Sequence, residues 1–364
     1  MTLRGIPSGG GVPSTWTTQT ALFLGEESNN LALRNVLTIE TDLSSHTDTA
    51  MCPEEPQAKL NEIWHVPDQG TRGTCTAFAV KAAEELWRYR NRTSEDPEEL
   101  VPLSAEFLYS KMRDHSYTCV GVEVPDQQLE KQTRLGATYI AQARRALATA
   151  GVCPEFLAPY DASQAVAFRQ KKFSETATDR AMELKVEESI FEHDIVQVTK
   201  GRPIGTGKVW RNRKNYHQDD GEPITTSKIF HDALAKGSPI VAAFALLNSE
   251  GKTAWVGART RLCGQVVYPT DEFITRLRPV GGHAVCITGF VPNHDAAPGG
   301  TFVFRNSFGP FDFAWHATDK SRCPPLPLWR GYGAISSQDV DRYCWEYMFR
   351  MPADGPITGD LEVE

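Results

Sequence analysis

A cysteine stands where a Gly- and Thr-rich loop gives way to a helix. The loop is the stretch DQGTRGT, and from Cys75 onward the chain has helical spacing without Gly or Pro. A thiol at a helix N-terminus faces free backbone N–H groups and the positive end of the helix dipole, which favour the thiolate. Gly70 and Gly73 are expected to let the loop turn tightly towards the sulfur. Cys75 is therefore a candidate nucleophile, although a lone cysteine here also fits a buried structural role.

A cysteine nucleophile needs a base and a group that orients the base. His283 begins the apolar segment HAVCITGF directly after two glycines, and Asn306 follows the apolar segment TFVFR. If these segments pair as antiparallel strands, the start of the first lies beside the end of the second. The sequence therefore predicts that His283 and Asn306 are neighbours at one end of a sheet, although His283 by itself also fits a structural role.

The elements that must position these residues change in character along the chain. Residues 1–60 are rich in Gly, Ser, Thr and Pro and are predicted to form an extended arm. Residues 61–185 have mainly helical periodicity. Residues 186–364 contain short strand-like segments separated by Gly, Pro and Asn, interrupted by the helix SKIFHDALAKG. Helices followed by strands predict an α+β domain over residues 61–364, with the site in a cleft between its halves.

The composition argues against several functional classes. With 38 Lys and Arg against 46 Asp and Glu, and no basic run with interleaved aromatic residues, no nucleic-acid partner is expected. No apolar run is long enough for a bilayer span and no signal peptide is evident, so we expect a cytoplasmic protein that does not bind membranes. The eight cysteines are scattered without a CxxC pair or a Cys/His cluster, which predicts neither a metal nor another cofactor.

Several segments together resemble the papain-like cysteine peptidases. DQGTRGTCTAF is similar to the family's Q-G-x-C-G-S-C-W-A-F, GGHAVCITGF to its histidine strand, RNSFG to its N-S-W-G, and RGYGAIS to the G-Y-G-x-I that follows. LSAEFLY and GVCPEFLAPY resemble two further segments of the family. The resemblance extends over residues 64–350. It implies a papain-like fold, with a helical left half, a β-rich right half and the active-site cleft between them.

The resemblance also implies a role for each site residue. Cys75 would be the nucleophile, His283 its base and later acid, and Asn306 the group that orients the imidazole. Gln69 and the Cys75 backbone N–H would be the oxyanion donors. Thiolate and imidazolium would form an ion pair at rest, and a peptide bond of a protein or peptide substrate would be hydrolysed through a thioester acyl-enzyme.

Some positions depart from the family pattern. Arg72 stands where the family has a disulfide-forming cysteine, so that bridge cannot form, in keeping with a reducing compartment. Thr76 replaces the Trp after the nucleophile, and Phe308 replaces the Trp that covers the Asn–His hydrogen bond. Only Gly136 remains of a Gly-Gly pair that binds substrate backbone. Substrate contacts are predicted at Gly136, Gly282 and Phe308.

The arm carries a second resemblance. GIPSGGGVPSTWTTQTALFLGE is similar to the N-terminal segment of contractile tail-sheath subunits. This implies docking to a component of a phage-tail-like particle, with a flexible linker as the alternative. Because the arm lacks the helical periodicity of an inhibitory propeptide, docking is predicted rather than inhibition. Three functions stay open: a cysteine endopeptidase, an acyl-transferring enzyme with the same triad, and a catalytically weak binding or assembly module.

Overall fold

The structure is a computed structural model. It describes residues 66–91, 101–115, 136, 138–162, 172–195, 225–249, 252–253, 255, 265–266, 268, 278–291, 300–309 and 331–351. The arm predicted for residues 1–60 lies outside the described residues.

The helices of the described residues are concentrated in the first half of the chain. They are α1 Cys75–Arg90, α2 Ala105–Arg113, α3 Ile140–Thr149, α4 Glu175–Glu183, α5 Thr226–Ala235 and α6 Ser337–Tyr343. Short 3-10 turns lie at Glu155–Leu157 and Glu188–Ile190. The helices α2, α4, α5 and α6 each begin after a Ser or Thr whose hydroxyl accepts a first-turn N–H. At α1 the N-cap residue Thr74 makes no side-chain cap, so its hydroxyl does not satisfy the first N–H groups of this helix.

A single sheet holds the strands of the described residues. They are β1 Phe191–Ile195, β2 Ile240–Ser249, β3 Lys252–Thr253, β4 Gln265–Val266, β5 Arg278–Val291, β6 Thr301–Arg305, β7 Tyr332–Ser336 and β8 Cys344–Arg350. The order is β1-β8-β2-β5-β6-β7-β4, with β3 paired to β2. Every pairing is antiparallel except that of β4 with β7. The predicted antiparallel pairing of the His283 strand, β5, with β6 is confirmed.

The central strands are buried on both faces. On β2, Val241 and Ala243 join a cluster that includes α1, α2 and α3, while Ile240 and Phe244 join a second cluster with α5. A strand covered on both sides has apolar residues at consecutive positions rather than alternating ones. The core therefore consists of helix α1 packed on one face of the sheet and α5 with α6 on the other.

Helix α1 also buries charged side chains, each with a partner. Glu84 pairs with Arg350 at the end of β8. Glu85 accepts the Leu103 backbone N–H at 2.9 Å and lies 3.5 Å from the guanidinium of Arg305. A buried charge is tolerated only when it is paired, so these contacts fix the position of α1 relative to β6 and β8.

The start of α3 is capped from a distant strand. The Glu346 carboxylate on β8 accepts the backbone N–H of Ile140 at 3.0 Å and of Ala141 at 2.7 Å. His193 on β1 lies 3.1 Å from the same carboxylate. A carboxylate at a helix N-terminus satisfies free donors and matches the helix dipole. Glu346 thereby joins α3 to the sheet.

Candidate active site

The loop before Cys75 is paired with the segment that follows Asn306. The Gln69 backbone N–H donates to the Ser307 carbonyl at 2.8 Å, and the Gly309 N–H donates to the Pro67 carbonyl at 3.1 Å. The loop before α1 and the segment after β6 are thus joined by main-chain hydrogen bonds, which brings Gln69 beside the residue that follows Asn306.

Cys75 is the first residue of α1 and is partly exposed, whereas the other described cysteines, at 153, 286 and 344, are buried. Burial raises the pKa of the Cys75 thiol. The backbone N–H of Ala284 and the hydroxyl and N–H of Thr76 lie against the sulfur and lower that pKa, but by less. Cys75 is therefore partly exposed as a residue while its thiol is largely shielded from water, and donors around the sulfur stabilise negative charge.

The imidazole of His283 is bonded to the Asn306 side chain. His283 Nε2 donates to Asn306 Oδ1 at 2.7 Å, and His283 is only 3% exposed. The same oxygen accepts the Ser307 backbone N–H at 2.8 Å, and the Asn306 N–H donates to the Gly331 carbonyl at 3.0 Å. Asn306 is held on both its main chain and side chain. With Nε2 bonded to Asn306, Nδ1 is the ring nitrogen left to accept a proton.

Two aromatic side chains enclose the His283 ring. Phe308 stacks on it with centroids 4.4 Å apart, and Trp255 meets it edge-on at 4.9 Å. Trp255 is fixed in turn, because its Nε1 donates to the Tyr268 hydroxyl at 2.9 Å, which donates to the Ala245 carbonyl at 2.7 Å. Burial lowers the pKa of His283 to about 4, although its bond to Asn306 acts in the opposite direction.

These two pKa shifts bear on the expected ion pair. Burial favours the neutral form of both groups, since it raises the pKa of Cys75 and lowers the pKa of His283 to about 4. The helix N-terminus acts as expected from the sequence, but burial outweighs it. Both shifts act against the expected thiolate and imidazolium, and that ion pair stays a prediction.

The Gln69 side chain is held at both ends of its amide. Ser307 Oγ donates to Gln69 Oε1 at 2.5 Å, and Gln69 Nε2 donates to the Arg72 carbonyl at 2.8 Å. The Tyr160 hydroxyl donates to the Gln69 backbone carbonyl at 2.8 Å. An amide nitrogen carries two N–H groups, so one remains for another acceptor.

The three residues predicted to contact the substrate lie in three different surroundings. Phe308 lies on the His283 ring. Gly282 precedes His283 on β5 and lies under the Trp345 indole, which a Cβ at this position would approach to 2.3 Å. Gly136, with φ of 72°, has its carbonyl bonded to the Tyr109 hydroxyl at 2.7 Å. Substrate contact at these residues stays a prediction.

The sequence reading missed three residues that hold the site together. Ser307 lies within the segment RNSFG and could have been noted there. Trp255 lies in a segment with no recognisable pattern, and its contact with His283 arises only in the folded chain. Tyr160 ends the segment GVCPEFLAPY, but nothing in that segment indicates its bond to Gln69.

Across the described part of the chain, no three His, Cys, Asp or Glu side chains converge as metal ligands would. None of the helices described has the length and apolar character needed to cross a membrane.

Solved structures similar to this chain are cysteine proteases. Xylellain, a cysteine protease from Xylella fastidiosa, is 20% identical, with 79% of this chain and 82% of that chain covered and a TM-score of 0.50. The Carica candamarcensis cysteine protease CMS1MS2, in complex with E-64, is 16% identical, with 79% and 92% covered and a TM-score of 0.42. Digestive procathepsin L 3 of Tenebrio molitor larval midgut is 14% identical, with 79% and 66% covered and a TM-score of 0.42.

No protein-family model and no curated protein matches the sequence. At this level of identity the similarity to xylellain shows the fold alone, and the chain has the α+β, papain-like fold that its sequence predicted.

Proposed function

We propose that this protein is a cysteine endopeptidase that uses Cys75, His283 and Asn306. The observation that carries the proposal is the 2.7 Å bond between His283 and Asn306, enclosed by Phe308 and Trp255. It is supported by a partly exposed cysteine at the start of a helix, whose sulfur lies against the backbone N–H of Ala284, the residue after His283. Such an arrangement supplies a nucleophile, a base and a group that orients the base.

The reaction begins with proton transfer from the Cys75 thiol to Nδ1 of His283. The sulfur attacks the carbonyl carbon of the scissile peptide bond, and the carbonyl oxygen becomes an oxyanion. The imidazolium then gives its proton to the leaving amine, which departs and leaves a thioester on Cys75. His283 next takes a proton from water as the water oxygen attacks the thioester carbon. The carbon–sulfur bond then breaks, the acyl group leaves as a carboxylic acid, and the imidazolium returns its proton to the sulfur to regenerate the thiol.

Two N–H groups are proposed to stabilise the oxyanion. The first is the backbone N–H of Cys75, which has no helical partner at the first position of α1. The second is the Gln69 Nε2 hydrogen that the Arg72 carbonyl does not use. Removing one oxyanion donor typically lowers kcat by about 100- to 1,000-fold. The Gln69→Ala variant is therefore expected to lose activity without losing its reactive thiol.

The proposal is tested with a fluorogenic peptide library and a peptidyl epoxide. Turnover should disappear in Cys75→Ala and persist in Cys153→Ala, a matched change at a buried cysteine. Mass spectrometry should find the epoxide on Cys75. Turnover by Cys75→Ala would contradict the mechanism. Formation of an amide product from an added amine would favour acyl transfer. A chain that neither turns over peptides nor reacts with the epoxide would be a binding or assembly module.

A further inference from the structure

The loop before the nucleophile buries the full charge of Arg72. Its side chain lies in the loop three residues ahead of Cys75 and the residue is 5% exposed. Nη1 donates to Glu106 Oε2 at 2.5 Å and to the Asp161 carbonyl at 3.0 Å, and Nη2 donates to Glu106 Oε1 at 3.2 Å. Such a two-point contact between guanidinium and carboxylate fixes direction as well as distance. The loop is thereby bound to α2, which carries Glu106.

Aromatic rings complete the enclosure of this guanidinium. Tyr160 and Tyr109 lie 4.8 and 5.4 Å from it, measured from the guanidinium carbon to each ring centroid. The Tyr160 hydroxyl is 2.8 Å from both the Gln69 carbonyl and Thr74 Oγ1. The loop is therefore held near its beginning, at its middle and near its end.

The fixed backbone of Arg72 has a direct consequence for Gln69. The Arg72 carbonyl accepts one hydrogen of Gln69 Nε2 at 2.8 Å, and Ser307 holds the other end of the amide. The plane of an amide with both ends bonded is set by its two partners. The direction of the second Nε2 hydrogen thus depends on where the Arg72 carbonyl lies, and that position depends on the side chain of Arg72.

We propose that the buried Arg72–Glu106 pair is a positioning element for the oxyanion site, acting through the Arg72 carbonyl on the Gln69 amide. This inference rests on the proposed function. Both side chains are buried, so the role proposed for them does not include contact with the substrate. Their contribution is to keep the free N–H of Gln69 aimed at the developing oxyanion, so that stabilisation is greatest in the transition state.

The test separates oxyanion stabilisation from the reactivity of the thiol. Arg72→Gln and Glu106→Gln should each lower kcat about 10- to 100-fold, with KM and the iodoacetamide alkylation rate of Cys75 within about threefold of the unchanged chain. Alkylation forms no oxyanion, so it does not need Gln69. In a Gln69→Ala background, Arg72→Gln should add less than about a threefold loss, because the group it positions is gone.

Controls keep the inference open to refutation. Arg180→Gln breaks the exposed Arg180–Glu183 pair and should change neither rate. Arg72→Lys keeps the charge without the two-point contact, and should give a folded protein with an intermediate loss of kcat if Arg72→Gln does not fold. If the Arg72 and Glu106 variants lose kcat and the Cys75 alkylation rate together, the pair only stabilises the fold. The same conclusion would follow if Arg72→Gln lowers kcat by the same factor with and without Gln69→Ala.

A second readout does not require turnover. A peptide aldehyde forms a hemithioacetal whose oxygen lies where the oxyanion would, so its affinity for Arg72→Lys should fall by about the same factor as kcat, at an unchanged alkylation rate. Equal aldehyde affinities of the Arg72→Lys variant and the unchanged chain would overturn the inference. Absence of turnover by the unchanged chain would count against the proposed function, while the aldehyde affinities would still decide the role of Arg72.

Discussion

Alkylation of Cys75 by iodoacetamide should accelerate about tenfold for each pH unit between pH 5 and 8. The expectation follows from a neutral resting pair, in which only the small thiolate fraction reacts, and that fraction grows tenfold per unit below the thiol pKa. A resting thiolate and imidazolium would instead give a constant rate over the same range.

The magnitude follows from the two pKa shifts. Burial places the pKa of Cys75 above its ordinary value of 9.0, and burial places the pKa of His283 at about 4. Both shifts act against transfer of the proton from sulfur to imidazole, so the thiolate is expected to be the minor form of Cys75 between pH 5 and 8. Below the thiol pKa the thiolate fraction rises tenfold for each pH unit, which gives a rate increase of about 1,000-fold over these three units.

The assay is a timed exposure to iodoacetamide, followed by quenching and mass-spectrometric quantification of the peptide that contains Cys75. Cys153 is an internal reference, since it is buried and burial raises its pKa to about 12, so it should stay unlabelled. His283→Ala should give the same slope as the unchanged chain. A flat rate from pH 5 to 8 that regains its slope in His283→Ala would refute the argument from burial.

Four further changes have defined outcomes. Asn306→Ala should lower kcat about 10- to 100-fold without abolishing turnover, because the imidazole loses its orientation but the nucleophile remains; steady-state kinetics would show it. Gly331→Ala should destabilise the fold by about 1 to 3 kcal/mol in urea unfolding, since φ is 85° and the new Cβ would lie 2.5 Å from Val66. Burial raises the pKa of Asp339 from 3.8 to about 6 in the folded protein. The free energy of unfolding should therefore fall as pH rises from about 4 to about 6, because the unfolded chain releases this proton first. Asp339→Asn should stabilise the fold by roughly 1 to 3 kcal/mol at pH 7 and leave it nearly unchanged at pH 4. Deleting residues 1–55 should keep kcat for a small peptide within about a factor of three while abolishing co-purification with a docking partner, whereas a large rise in kcat would indicate a propeptide.

The parts of the fold that could be predicted are those whose hydrophobic pattern lies within one short segment of the sequence. Strands β5 and β6 are contiguous apolar segments with a polar residue at the ends that meet, so their pairing follows from the sequence. Strand β8 and helix α6 were not predicted. Strand β8 reads CWEYMFR, and six of its seven residues are buried, including the charged Glu346. The sequence of β8 shows neither an alternating nor a continuous apolar pattern, because the buried Glu346 interrupts it. Glu346 is tolerated there because it binds the start of α3, a partner distant in the chain that the local sequence does not indicate.

In the candidate site, too, features with a local sequence pattern could be predicted and features that depend on distant contacts could not. Cys75, His283 and Asn306 follow from short segments around each residue. Of the two glycines expected to turn the loop, Gly70 has a left-handed φ of 62°, whereas Gly73 is not among the described glycines with positive φ. The lowered pKa of His283 could not be predicted, since a helix N-terminus is visible in the sequence but the burial of His283 under distant aromatic residues is not.

The cap that Glu346 supplies to α3 bears on how the chain folds during synthesis. The donors and the carboxylate are 206 and 205 positions apart, so α3 leaves the ribosome long before its cap exists. A helix of ten residues is marginal by itself in water, and the N–H groups of Ile140 and Ala141 lack this carboxylate until β8 is made. Contacts of such long range form slowly. Completion of the helical half is thus a late event, and a nascent or shortened chain that stops before Glu346 should expose an unfinished helical half to proteases and chaperones.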